Sequence, residues 1–122
     1  MSYKFVFPRL RRYHSLGPNP FEVATLVFLE LYGFPITYLF TPNRYHIYSK
    51  RRHIVIATLA RHTTLNYFEI ASFFGYSRHS MVCHSLRFIE NLKDLHTHHK
   101  IIDPYLLEYN LFENDFKIMF NR

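Results

Sequence analysis

The stretch NYFEIASFFGYSRHSMVCHSLRFIENL, at residues 66–92, predicts a short helix, a tight turn and a longer helix. Asn66 with Glu69 three residues later is the pattern of a capping box, which opens the short helix. Gly75 closes this helix, because glycine readily adopts the left-handed conformation that ends many helices. The residues of the short helix that we expect to face inward are Ile70, Phe73 and Phe74.

The longer helix is predicted from about residue 78 to about residue 94, with Ser77 as its cap. Its apolar residues recur at a spacing that places them on one helical face. These residues are Val82, Leu86, Ile89 and Leu92. A short helix, a turn containing glycine and a longer helix with a polar beginning form the helix-turn-helix pattern.

The segments before this pattern also favour helices. Asn19 and Pro20 are typical of a cap and a first helical residue, and this helix is expected to end at Gly33. Residues 34–48 fit either a short helical turn or an extended piece. A helix is expected from about residue 50 to about residue 62, although residues 54–56 taken alone resemble a strand. The expected core residues of the first helix are Val23, Leu26, Val27 and Leu31.

A last helix is expected at about residues 103–120, beginning at Asp103 and Pro104. Its expected core residues are Leu106, Leu107, Leu111, Phe112 and Phe116. The chain is therefore predicted to be all-α, with residues 1–19 as a basic and aromatic arm and residues 20–122 as one domain.

The charge of the chain points to a polyanionic partner. Its 122 residues carry 15 Lys and Arg against 9 Asp and Glu, a formal net charge of +6. Residues 1–100 hold 13 of the basic and 5 of the acidic residues, whereas residues 101–122 hold 2 basic and 4 acidic ones. A small basic domain favours nucleic acid or an acidic membrane surface as its partner.

Several classes of protein are not expected. A single cysteine, Cys83, cannot form an internal disulfide, and Met1 is not followed by a signal-peptide pattern. No apolar stretch is long enough to span a bilayer, and no glycine-rich loop suits a phosphate. No serine, histidine and acid stand in a catalytic setting. We therefore expect no enzyme, no cofactor, no nucleotide and no membrane partner, and a cytoplasmic, nucleoid-associated protein.

The beginning of the longer helix is the first candidate DNA-binding site. A recognition helix meets base edges with its opening residues. Arginine can pair with guanine, and serine and histidine can donate or accept hydrogen bonds. The residues concerned are Ser77, Arg78, His79, Ser80 and Met81. The alternative is a capped surface helix that happens to begin with polar residues.

The basic run at residues 50–53 is the second candidate. Adjacent cations repel one another, so this run is expected either in solvent or against phosphates. It consists of Lys50, Arg51, Arg52 and His53. His84 is either a phosphate contact or a structural residue. Further candidates for phosphate contacts are Arg9, Arg11, Arg12, Arg61 and Arg87.

Together these two stretches resemble the C-terminal DNA-binding domain (domain IV) of the bacterial replication initiator DnaA. Residues 50–55, KRRHIV, stand where that family has its basic loop, and residues 69–75 look like the first helix of its motif. Residues 77–82, SRHSMV, stand at a signature of roughly Arg-Asp-His-Thr-Thr-Val. The resemblance covers about residues 20–112. It implies a helix-turn-helix domain of the DnaA domain IV or Trp-repressor-like type, with an extra N-terminal arm and C-terminal helix.

The resemblance also implies roles for individual residues. Arg51 or Arg52 would enter the minor groove, while His79 and Ser80 would read the major groove. The signature's Asp is Arg78 here, which reverses the charge at a base-reading position. We therefore expect the fold to carry over without the family's own DNA preference. The ATPase module of full-length DnaA does not match any part of the chain.

A histidine cluster near the end of the longer helix raises the question of a metal site. It consists of His96, His98 and His99. Zinc needs three or four converging ligands, usually with help from cysteine or carboxylate groups. Cys83 stands more than a dozen residues away, so a solvated loop is the preferred interpretation.

The overall expectation is a double-stranded DNA-binding protein with sequence preference, acting in the initiation of DNA replication or its regulation. A homodimer, or a contact with a host replication protein, is also considered. The alternatives are an interaction module that docks on host replication or transcription machinery through exposed aromatic residues, a transcriptional regulator using the same motif, and a binder of single strands or RNA.

Overall fold

The computed structural model describes residues 18–40 and 45–121, and every regular element in these ranges is helical. The elements are α1 (Pro20–Tyr32), a short 3-10 helix (Ile36–Leu39), α2 (His46–His62), α3 (Tyr67–Phe73), α4 (Ser80–His99) and α5 (Pro104–Phe120). The all-α prediction is confirmed. The arm candidates Arg9, Arg11 and Arg12 lie outside the described residues.

Three of the helices begin at caps that the sequence indicates. The Asn19 carboxamide oxygen accepts from the backbone N–H of Phe21 at 2.9 Å, ahead of Pro20 at the start of α1. The Asp103 carboxylate does the same for Tyr105 at 2.8 Å at the start of α5. At α3 the capping box is complete, because Asn66 and Glu69 each accept from the other's backbone N–H. These side chains satisfy N–H groups that have no partner inside their helix.

The centre of the domain is α2, which packs against the other four helices. Its residues 54–59 are 0% exposed, including Thr58. The Thr58 hydroxyl donates to the Ile54 carbonyl at 2.9 Å, so burial leaves no unpaired hydroxyl there. A helix that is covered on all sides has no polar face, which explains the strand-like appearance of this run in the sequence.

Two helix boundaries differ from the prediction. α2 begins at His46 and not near residue 50. α4 begins at Ser80 with His79 at the cap position, and no side chain caps it, so the prediction of Ser77 as the cap is wrong. α4 also continues to His99 instead of ending near residue 94.

Some core assignments were also wrong. Leu26 of α1 is 48% exposed, and Leu107 and Leu111 of α5 are 53% and 59% exposed. Tyr109 is instead completely buried, and its hydroxyl donates to the Glu113 carboxylate at 2.6 Å. Tyrosine can occupy a core where its hydroxyl finds such a partner. The other predicted core residues of α1, α4 and α5 are buried or half-buried.

Within residues 18–40 and 45–121, none of the helices combines the length and the apolar character that crossing a membrane requires.

Candidate nucleic-acid interface

The predicted pair of helices is present as α3 and α4, joined by residues 74–79. The chain turns sharply at Gly75, whose φ of 92° lies in the left-handed region. The backbone N–H of Tyr76 donates to the Ala71 carbonyl at 3.0 Å, which ties the turn to the end of α3. The turn therefore places the polar residues that follow it at the start of α4.

The start of α4 is open to solvent. Arg78, His79 and Ser80 are all exposed, as is Ser77 in the turn, whereas Met81 is half-buried. Their side chains are thus available to a partner, as a recognition helix requires.

The outer face of α4 extends this polar start along the helix. Ser80, His84, Arg87 and Asn91 are exposed at a spacing of three or four residues, which places them on one face. No acidic residue occurs between Glu69 and Glu90. This half of α4 therefore presents positive charge and hydrogen-bond donors without a carboxylate to compete with a phosphate. Asn91 was missed in the sequence, although its spacing from Ser80 would have indicated it.

A shallow depression of about 340 Å³ lies beside this face. It is lined by His53, Met81, His84, Arg87, Phe88 and Asn91. Lys50 reaches it from α2, with its ammonium nitrogen 4.8 Å from the centre of the Phe88 ring. The depression thus combines an apolar floor with cationic groups from two helices.

His53 is a neutral, half-buried part of this site. Burial, followed by repulsion from Lys50, Arg52 and His84, lowers the pKa of His53 from its ordinary 6.5 to about 4. Its Nδ1 lies 2.8 Å from the Ser85 hydroxyl, which donates to the Met81 carbonyl at 3.0 Å. When both bonds form, the Nδ1–H of His53 must be the donor to Ser85. His53 therefore links α2 to α4 as a neutral imidazole and adds no charge to the basic run, while its contact with DNA stays a prediction.

The basic run does not form a loop, because residues 50–53 lie on α2. The Arg51 side chain is 16% exposed and its Nε donates to Glu108 at 3.1 Å. Its guanidinium also stacks 4.3 Å from the centre of the Tyr32 ring. Arg51 is thus engaged with α5 and α1, and its entry into a minor groove stays a prediction that these contacts do not favour.

Arg52 is further from solvent, at 4% exposed. Its Nε donates to the Leu39 carbonyl, and its Nη1 donates to the Tyr76 hydroxyl at 2.7 Å. The guanidinium therefore joins the 3-10 helix to the turn between α3 and α4. The expected contact of Arg52 with DNA stays a prediction, and this burial does not favour it.

Arg61 is paired with Glu90 at 2.9 Å on the surface. By contrast, Lys50, Arg78 and Arg87 have no carboxylate within ion-pair distance among residues 18–40 and 45–121. The structure thus separates cations that stabilise the fold from cations that remain available. Lys50, Arg78 and Arg87 lie at the start of α4 and around the depression, whereas Lys93, Lys100 and Lys117, which also have no such carboxylate in the described part of the chain, lie towards the end of α4 and on α5.

The histidine cluster is on the last turn of α4, which corrects the expected loop. His98 Nε2 lies 3.3 Å from the Asp94 carboxylate, and all three histidines are exposed. In the described part of the chain, no group of three His, Cys, Asp or Glu side chains is arranged to hold a metal ion. Cys83 is exposed on α4.

Comparisons of this chain with protein-family models, curated proteins and solved structures found no match. The resemblance to the DnaA domain therefore remains a prediction from the residues quoted above.

Proposed function

We propose that this protein binds double-stranded DNA with sequence preference through α3, the following turn and α4. The observation that carries this proposal is the placement of the unpaired cations. Arg78 lies in the turn two residues before α4, and Lys50 and Arg87 flank the depression beside this helix. A surface with free cations and no carboxylate suits the phosphate backbone.

The residues divide into two roles. Arg78, His79 and Ser80 would meet base edges in the major groove, where arginine pairs with guanine and serine or histidine can donate or accept. Lys50, His84 and Arg87 would hold backbone phosphates, which set the position of the protein on the duplex without reading its sequence. In this proposal Lys50, His84 and Arg87 take the phosphate-binding role expected of Arg51 and Arg52, because those two side chains bind partners inside the domain.

The biological setting that we propose is the initiation of DNA replication or its regulation. This part of the proposal rests on the resemblance of residues 50–55 and 69–82 to the DnaA domain.

The test begins with selection of bound duplexes from a random library at physiological salt. An enriched sequence is the expected result. Replacement of Arg78 by alanine should then cost about 1–3 kcal/mol on that sequence and relax the preference at one position. Arg87→Ala should weaken all duplexes alike and reduce the slope of log affinity against log salt by about one unit.

Lys100→Asn is the matched control, because it removes one exposed positive charge at the far end of α4 and asparagine tolerates the left-handed backbone there. It should leave both affinity and preference unchanged. If Lys100→Asn weakens binding as much as Arg87→Ala, and no sequence is enriched, binding is a general effect of net charge. The interaction module, with exposed aromatic residues such as Phe68 as its contact surface, then becomes the better hypothesis.

A further inference from the structure

An apolar stripe runs along the outer side of α5. Leu107, Leu111 and Ile118 are 53%, 59% and 57% exposed. By helical geometry they lie opposite the buried side of the same helix. That buried side consists of Leu106, Tyr109, Phe112 and Phe116. α5 is therefore apolar on two opposite sides, whereas a helix at the surface of a domain ordinarily has a polar outer face.

The spacing of the stripe is that of a seam between two supercoiled helices. Leu107, Leu111, Asn114 and Ile118 follow one another at intervals of four, three and four residues. This 3.5-residue average repeat keeps the same side chains facing a partner helix. The packing of α5 on its own domain uses the opposite side, so it does not require this outer repeat.

Asn114 indicates that the partner helix is a second copy of α5. It is exposed and stands in the middle of the stripe. Its amide carries both donors and an acceptor, so two copies related by a two-fold axis can satisfy each other. Its amide is left unsatisfied in any register that does not bring two such residues together, so Asn114 restricts the register of the pair.

The charges beside the stripe are complementary when two copies of α5 pair. The chain as a whole carries +6, so most of its surface repels another copy. The stripe itself is uncharged, with Lys117 on one flank and Asp115, beside Glu30 of α1, on the other. When two α5 helices pair in parallel about a two-fold axis, the Asp115 flank of each copy faces the Lys117 flank of the other.

We infer that the protein forms a parallel, two-fold homodimer through Leu107, Leu111, Asn114 and Ile118 of α5. This interface is independent of the proposed DNA-binding face on α4. The seam runs only from Leu107 to Ile118, so we expect a dimer that dissociates on dilution.

Sedimentation equilibrium of the full chain between about 1 and 300 µM tests the inference. The unaltered protein should pass from monomer to dimer across this range. Leu111→Glu should weaken association by about tenfold or more, because it places two carboxylates in the seam. Leu29→Glu is the matched control, since Leu29 is 47% exposed on α1 and outside the stripe. It should leave the dissociation constant unchanged.

Two substitutions of the exposed Asn114 make the test independent of the leucine variants. Asn114→Lys should abolish the dimer through like-charge repulsion. Asn114→Leu should tighten association or change the number of subunits, because it removes the polar residue from the seam. A protein that is monomeric at every concentration overturns the inference. So does a dimer that Leu111→Glu and Asn114→Lys leave intact, or that Leu29→Glu disrupts equally.

Discussion

Replacement of Arg52 by methionine should make the domain much easier to unfold. Arg52 is 4% exposed, and its guanidinium donates to the Leu39 carbonyl and the Tyr76 hydroxyl. Methionine keeps most of the apolar stem but leaves both acceptors without this donor. Hydrogen bonds from a charged donor contribute about 1.5–3 kcal/mol each. Removal of the buried charge offsets part of the loss, so we expect the free energy of unfolding to fall by about 3 kcal/mol.

Lys50→Met is the matched control, because it removes the same charge two residues earlier on α2. Lys50 is half-buried, and its ammonium interacts with the Phe88 ring at 4.8 Å. A contact of this kind contributes about 0.5–1 kcal/mol. The two side chains belong to the same basic run, but the expected loss of unfolding free energy is about threefold or more greater for Arg52 than for Lys50.

Urea unfolding followed by circular dichroism measures both variants. With a slope of about 2 kcal/mol per molar urea, the midpoint should fall by about 1.5 M for Arg52→Met and by about 0.5 M or less for Lys50→Met. Equal midpoints for the two variants would refute the conclusion that Arg52 acts inside the fold. An Arg52→Met protein that is as stable as the unaltered protein but binds DNA more weakly would indicate that Arg52 contacts DNA.

Three further predictions concern stability. Asn66→Ala removes the cap of α3 and should lower the free energy of unfolding by about 1 kcal/mol in thermal melts, whereas Asn91→Ala, on the exposed face of α4, should change it by less than about 0.5 kcal/mol. His53 has a pKa of about 4 in the folded protein, below its ordinary 6.5, so its stabilising contribution is complete above 6.5 and is lost as the pH falls towards 4. His53→Gln should reduce this acid sensitivity when urea midpoints at neutral pH and near pH 4.5 are compared, and unchanged sensitivity would contradict a buried neutral imidazole. Burial raises the pKa of Glu113, but hydrogen bonds from His62 and Tyr109 outweigh it and bring the pKa below the ordinary 4.5. The destabilisation caused by Glu113→Gln should therefore be greatest above pH 4.5 and shrink on acidification, as urea midpoints across the acidic range will show.

Much of the fold was predictable because the signals are local. Asn19, Asn66 and Asp103 cap helices through bonds to residues two or three positions away, and Gly33 ends α1 with a φ of 78°. The start of α4 was less predictable, because no side chain caps it. The outer leucines of α5 were assigned to the core because an apolar residue on a second face looks the same in sequence as one that is buried.

The candidate site was predictable only in part, for a different reason. The polar residues at 77–80 follow a turn signal, and their exposure follows from that position. Whether the arginines of the basic run are exposed or bound within the fold depends on residues far away in the sequence. Arg51 pairs with Glu108, which is 57 positions later, and Arg52 bonds to Tyr76, which is 24 positions later. Such pairings depend on tertiary packing, so a local charge pattern cannot distinguish a structural arginine from a DNA-binding one.

The complete burial of residues 54–59 has a consequence for the dynamics of the domain. The helices around α2 cover this segment on every side, so fraying of a single peripheral helix end does not bring its amides to water. Exchange of these amide hydrogens with solvent deuterium then requires opening of the whole domain. The slowest exchange rates in the protein should therefore be found within residues 54–59, and they should report its global stability.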